Sequence, residues 1–151
     1  MRNLLAGALA VITVACGGTD ETPSRPPSTI VFDGSDAVLY VNVADTAQEQ
    51  QKGLMGVETL PEDEGMAFVF ESPVDSTFWM KDTLIPLSIA FVDDSGRMIG
   101  VRDMEPCEAD PCPTYGIDLP FVLAIEANLG WFDRAGIEVG DHAELIVSAY
   151  G

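Results

Sequence analysis

Histidine is nearly missing from this chain, with His142 the only one in 151 residues. Zinc centres and Ser-His-Asp hydrolases depend on imidazole, so neither chemistry is well served. None of Ser72, Ser76, Ser88, Ser95 or Ser148 sits in a Gly-x-Ser-x-Gly nucleophile elbow. His142 follows Asp141 in a turn and reads as a satisfied loop histidine. Basic charge is scarce as well: seven Lys and Arg stand against 25 Asp and Glu, for a net charge of −18. Such a surface repels phosphate backbones and anionic headgroups, which excludes nucleic acid as a partner. The acid excess fits a surface solvated in high salt. Calcium binding is the sharper reading, although the chain has no EF-hand loop. There is no internal repeat. The apolar run Leu4 to Ala15 falls short of the roughly 20 residues that a spanning helix needs.

That run does carry information. Arg2 precedes it, as in a secretory signal peptide over residues 1–15. It ends in Thr13-Val14-Ala15-Cys16-Gly17, small residues before a cysteine, as at a bacterial lipoprotein processing site. Cys16 is then the lipidated first residue, and acyl burial at about 0.8 kcal/mol per methylene makes a firm anchor. An ordinary signal peptide cut nearby, leaving Cys16 free, is the alternative. Residues 16–35 include the proline-rich GGTDETPSRPPS and read as a disordered tether, with Ile30 to Phe32 a candidate start of the fold. Residues 36–151 are long enough for one domain with its own core. Localisation is expected outside the cytoplasm, on the cell membrane through the lipid anchor alone.

The cysteine count is odd, which flags one thiol for a different task. Cys107 and Cys112, flanked by Pro106, Pro111 and Pro113, read as a disulfide in an oxidising compartment. A redox pair is the weaker alternative, because the spacing is not Cys-x-x-Cys.

The densest pattern runs from Phe78 to Met98. Phe78, Met80 and Asp82 alternate with Trp79, Lys81 and Thr83, which predicts a strand. Pro86 belongs at a strand start or bend. Leu87, Ile89 and Phe91 then face one way, and Ser88, Ala90 and Val92 the other. Asp93-Asp94-Ser95-Gly96 predicts a hairpin connection, with Arg97 to Met104 as the return strand. Elsewhere, Thr46-Ala47-Gln48-Glu49 matches a capping box for a short helix ending at Gly53. Val38 to Ala44, Met66 to Phe70, Phe121 to Ala127 and Ala143 to Val147 read as strands. Ser72-Pro73 is expected to break the second of these. Gly130 to Gly136 reads as one helical turn stopped by glycine. The fold class that follows is mostly β: a compact antiparallel β-sandwich or barrel-like single domain with one or two short helices.

Several of these segments carry a resemblance. Gly53-Leu54-Met55, then Gly65 to Phe70, then Phe78-Trp79-Met80-Lys81-Asp82-Thr83 with Pro86-Leu87, and later Glu126, Gly130 and Gly140-Asp141, resemble the bacterial and archaeal family catalogued as domain of unknown function 192. The likeness spans about Val38 to Val147. Asp82 departs from it, since the family pattern more often has Asn or Gly there. The resemblance implies a compact β-rich domain and carries over no catalytic residue.

The candidate ligand-binding residues are Trp79, Lys81, Asp82, Tyr115 and Glu126. A lysine and carboxylates around an aromatic floor can grip a small zwitterionic, peptide or sugar ligand. Lys81 is alternatively a solvated strand lysine, or one half of a Lys81–Glu126 structural ion pair. Tyr115 lies in the loop stapled by the cysteines. Met55, Met66, Met80, Met98 and Met104 include soft copper ligands by chemistry, but read better as core filler. The expected function is non-catalytic binding of a small molecule or an envelope partner at the Trp79 and Lys81 face, without a cofactor. The alternatives are an enzyme with Lys81 and a carboxylate as acid–base pair, and a copper or calcium binder.

Overall fold

A computed structural model describes residues 28–148. The expected signal peptide, the lipidation site Cys16 and the first part of the tether lie outside them. The elements in chain order are β1 (Ser28–Phe32), β2 (Val38–Ala44), α1 (Ala47–Lys52), β3 (Glu64–Val74), β4 (Phe78–Trp79), β5 (Leu87–Val92), β6 (Met98–Met104), β7 (Thr114–Tyr115), β8 (Phe121–Asn128), α2 (Trp131–Ala135) and β9 (Ala143–Ile146). Seven strands form one sheet in the order β6-β5-β8-β3-β2-β1-β9, and β4 pairs with β7 apart from it.

The sheet curls until its ends meet, giving the barrel-like, mostly β fold that the pattern predicts. The seam is local. Met98 N–H donates to the Asp141 carbonyl at 2.9 Å and Gly140 N–H to the Met98 carbonyl at 2.8 Å, beside an Arg97–His142 bridge. All pairings are antiparallel except β2–β3, which is parallel. Parallel neighbours need a long crossover. Here the crossover carries α1 and residues 53–63, and it lays them over one face of the sheet. Thr46 caps α1 as expected, its Oγ1 accepting from Glu49 N–H while the Glu49 carboxylate accepts from Thr46 N–H. Gln50 fastens the helix down, donating to the Val69 carbonyl at 2.8 Å.

Both faces of the sheet are buried, so all six residues of β5 are buried although they alternate as read. Inside the curl lies a cluster fed by every strand of the sheet, from Ile30 and Leu39 to Ala90, Ile125 and Ala143. Trp131 and Phe132 of α2 join it, and the Trp131 indole N–H donates to Asp63 at 3.0 Å. On the outer face, Phe68, Leu87, Ile89, Phe91, Met104 and Phe121 build a second cluster under Leu54 and Met80. The methionines divide between the two, with Met98 inside and Met80 and Met104 outside.

Three expectations are corrected. The tether does not extend to residue 35, because β1 pairs with both β2 and β9 and buries Ile30 and Phe32. Ser72-Pro73 does not end its strand; β3 runs to Val74 with a shift of register after Val69 that absorbs the proline. The alternating strand expected through Thr83 stops at Trp79. Thr83 N–H donates to the Met80 carbonyl at 3.2 Å, closing a turn with Lys81 and Asp82 at its tip. Asp82 holds φ +54 there. Gly and Asn adopt that conformation most readily, which gives the family's preference at this position a physical reason.

Candidate functional site

The outer face is not closed everywhere. The end of α1, the Gly53-Leu54-Met55 corner, β3, and the chain from Ser76 to Thr83 surround a cleft of about 230 Å³. Gly53-Leu54-Met55, the strand through Phe68 and Phe70, the run from Phe78 to Thr83 and Glu126, all part of the resemblance, therefore converge on one place, whereas Gly130 and Gly140-Asp141 lie elsewhere. Its wall is stiff: Phe68 and Phe78 meet edge-to-face at 5.1 Å, with Phe91 and Phe121 packed behind them at 4.9 Å from each other. Trp79 stands at the mouth, 47 % exposed. Among the described residues its indole N–H has no hydrogen-bond partner.

Glu126 forms part of the cleft lining. It sits in β8 opposite Met66 of β3 and Ile89 of β5, which places its side chain on the outer face between two apolar neighbours. Gly65 permits this close pairing, since a Cβ there would collide with the Glu126 carbonyl oxygen. Glu126 is 5 % exposed. Its carboxyl has no hydrogen-bond or ion-pair partner among the described residues. None of the fully enclosed side-chain polar atoms there lacks a partner, so the Glu126 oxygens must open into the cleft. Burial alone pushes its pKa up to about 8, leaving the group largely protonated at neutral pH.

The other candidates fall elsewhere. Lys81 and Asp82 point outward from their turn. Lys81 Nζ lies 5.6 Å from the Trp79 ring centroid and 3.9 Å from Asp110, with side chains 40 % and 75 % exposed. That pair is worth little, and the Lys81–Glu126 pair considered from the sequence does not form. The Asp82 carbonyl accepts from Gly56 N–H at 2.9 Å, so its backbone braces the cleft corner while its side chain stays out. Tyr115 pairs with Phe78 across β7–β4 and packs on the outer cluster. It supports the wall without lining the cleft. The Cys107–Cys112 disulfide is formed, with an S–S distance of 2.06 Å, and holds the loop leading to β7. Among the described residues, no group of three or more His, Cys, Asp and Glu is placed to hold a metal ion.

Sequence reasoning missed Lys52, Thr83 and the phenylalanine wall as cleft residues. The available signal was the resemblance itself, whose scattered motifs had to converge somewhere.

A half-barrel β domain with an aromatic cleft over a solitary buried carboxyl defines a class of small-molecule-sized sites. The chain belongs to the domain of unknown function 192 family (DUF192, described as uncharacterized ACR), whose pattern matches residues 29–145. It is similar to the crystal structure of a protein of unknown function from Novosphingobium aromaticivorans, with 34 % identity, 78 % of this chain and 83 % of that one covered, and a TM-score of 0.70. It also shares its fold with a proposed transcription regulator from Sinorhizobium meliloti, at 24 % identity, covering 80 % of this chain and 95 % of that one, with a TM-score of 0.68. No curated protein matches the chain.

Proposed function

We propose that this protein is a lipid-anchored, extracytoplasmic binding module whose cleft takes up one small ligand without converting it. The observation that carries the reading is Glu126: a carboxyl 5 % exposed, without a partner among the described residues and open to an aromatic cleft. Burying such a group costs stability unless something satisfies it. A ligand that supplies the missing partner recovers that cost on binding. The disulfide supports an oxidising location, and Cys16 is the anchor. The binding face is thus Trp79 with Glu126, in place of Trp79 with Lys81. The regulatory role proposed for the Sinorhizobium relative is not carried over, because a net charge of −18 opposes DNA.

The second reading, an acid–base enzyme, draws on the raised pKa of Glu126 in a cleft. It ranks lower because Lys81, expected to complete the pair, faces Asp110.

A thermal-shift screen of the protein against amino acids, sugars, peptides and metals, at low and high salt, tests the binding reading. A small organic ligand should raise the melting temperature of the native protein and not that of a folded Trp79→Ala variant. No shift from any compound contradicts it. Mass spectrometry of the membrane-extracted protein should find acyl mass on Cys16, and an unmodified cysteine removes the anchor.

A further inference from the structure

We propose that the ligand is a compact zwitterion, an α-amino acid of leucine or phenylalanine size, with its ammonium on the Glu126 carboxyl and its carboxylate toward Lys52 at the mouth. This rests on the cleft being a ligand site. Three observations select the class. The floor offers one acidic group and no other polar side chain bonded to it, which suits a single cationic head. The rim carries one cation in a chain of net charge −18: Lys52, in the last turn of α1, lines the cleft, while Lys81 lies outside it, between Trp79 and Asp110. These are the only two lysines in the sequence. Between floor and rim the walls mix the apolar Leu54, Phe68, Phe78 and Trp79 with polar side chains such as Gln50 and Thr83. At about 230 Å³ the cleft is smaller than the usual ligand cleft of roughly 300–1,000 Å³. It therefore suits one residue rather than a peptide.

The exchange balances without any covalent change. The empty site holds a protonated Glu126. An incoming ammonium keeps its own proton and forms an ion pair with the carboxylate, and the displaced carboxyl proton leaves to solvent. Among the described residues, Lys52 is the only other titratable side chain lining the cleft, and the register neighbours of Glu126, Met66 and Ile89, carry no charge.

Titration calorimetry of the protein with L-leucine and L-phenylalanine, at neutral pH in buffers of different ionisation enthalpy, tests this. Binding with release of close to one proton is expected. N-acetyl-L-leucine and 4-methylpentanoate lack the ammonium and should bind roughly 30-fold more weakly or worse, as should leucine to a folded Glu126→Gln variant, there without proton release. Equal binding of N-acetyl-L-leucine, or undiminished leucine binding by the folded Glu126→Gln variant, overturns the ammonium–Glu126 pairing while the cleft stands as a ligand site. Isoamylamine binding as tightly as leucine overturns the carboxylate half. If neither amino acid binds, the zwitterion is wrong. A hit of another class in the thermal-shift screen then spares the cleft, and a blank screen removes both.

Discussion

The two faces of the sheet each hold one tryptophan and one buried polar side chain on its central strands, and they treat them in opposite ways. Inside the curl, Trp131 is 3 % exposed and its indole is bonded to Asp63. Ser88, 1 % exposed, is held by Asp103 and accepts from Gly130 N–H at 2.8 Å. Outside, Trp79 is half-exposed and Glu126 is buried, and among the described residues neither the indole N–H nor the carboxyl has a partner. A face built only for stability closes its polar accounts, as the inner one does. The outer face leaves donor and acceptor capacity open beside a hole. We take that asymmetry as the mark of a site.

Mutation should make the asymmetry measurable. The largest effect belongs inside: Trp131→Ala or Phe132→Ala should cost about 3–5 kcal/mol in denaturant unfolding, whereas Trp79→Ala should cost under about 1 kcal/mol and abolish ligand binding. A Trp79 variant as destabilised as Trp131 would erase the distinction.

Glu126→Gln should change how stability depends on pH. The folded pKa of Glu126 is raised from 4.5 to about 8, so the folded state holds more protons than the unfolded one across that window. Its contribution is most favourable below 4.5 and is lost as pH climbs to about 8, at a slope of up to about 1.4 kcal/mol per pH unit. Subtracting the variant's curve from the native one removes the background of surface carboxylates and should leave that slope. Parallel curves would show a solvated or partnered carboxyl.

Ser88→Ala should cost about 1 kcal/mol by leaving the part-buried Gly130 N–H without its acceptor, with no change in ligand affinity. Smallest of all, Lys81→Ala should lower stability by no more than about 1 kcal/mol. A larger loss would mean that the lysine holds the fold together.

What could be read in advance was whatever neighbours in sequence decide. The Thr46–Glu49 box, the Asp93–Gly96 connection, the alternation from Leu87 to Val92 and the Cys107–Cys112 pair are local chemistry, and each is present. The parallel β2–β3 pair escaped notice because it rests on a crossover whose direction no short pattern encodes. Lys81 misled for a related reason: two-residue alternation looks alike in a strand and in a strand entering a turn. Glu126 was picked out, but as the polar end of an apolar strand. Its burial comes from Met66 and Ile89, far away in sequence, flanking it on both sides.

The state of that carboxyl decides most directly between site and scaffold. A carbon NMR titration of the Glu126 side chain in the folded, ligand-free protein should give a midpoint near 8. A midpoint near the ordinary value of 4.5 would mean that water or another residue already satisfies the group, and would contradict the account of the cleft.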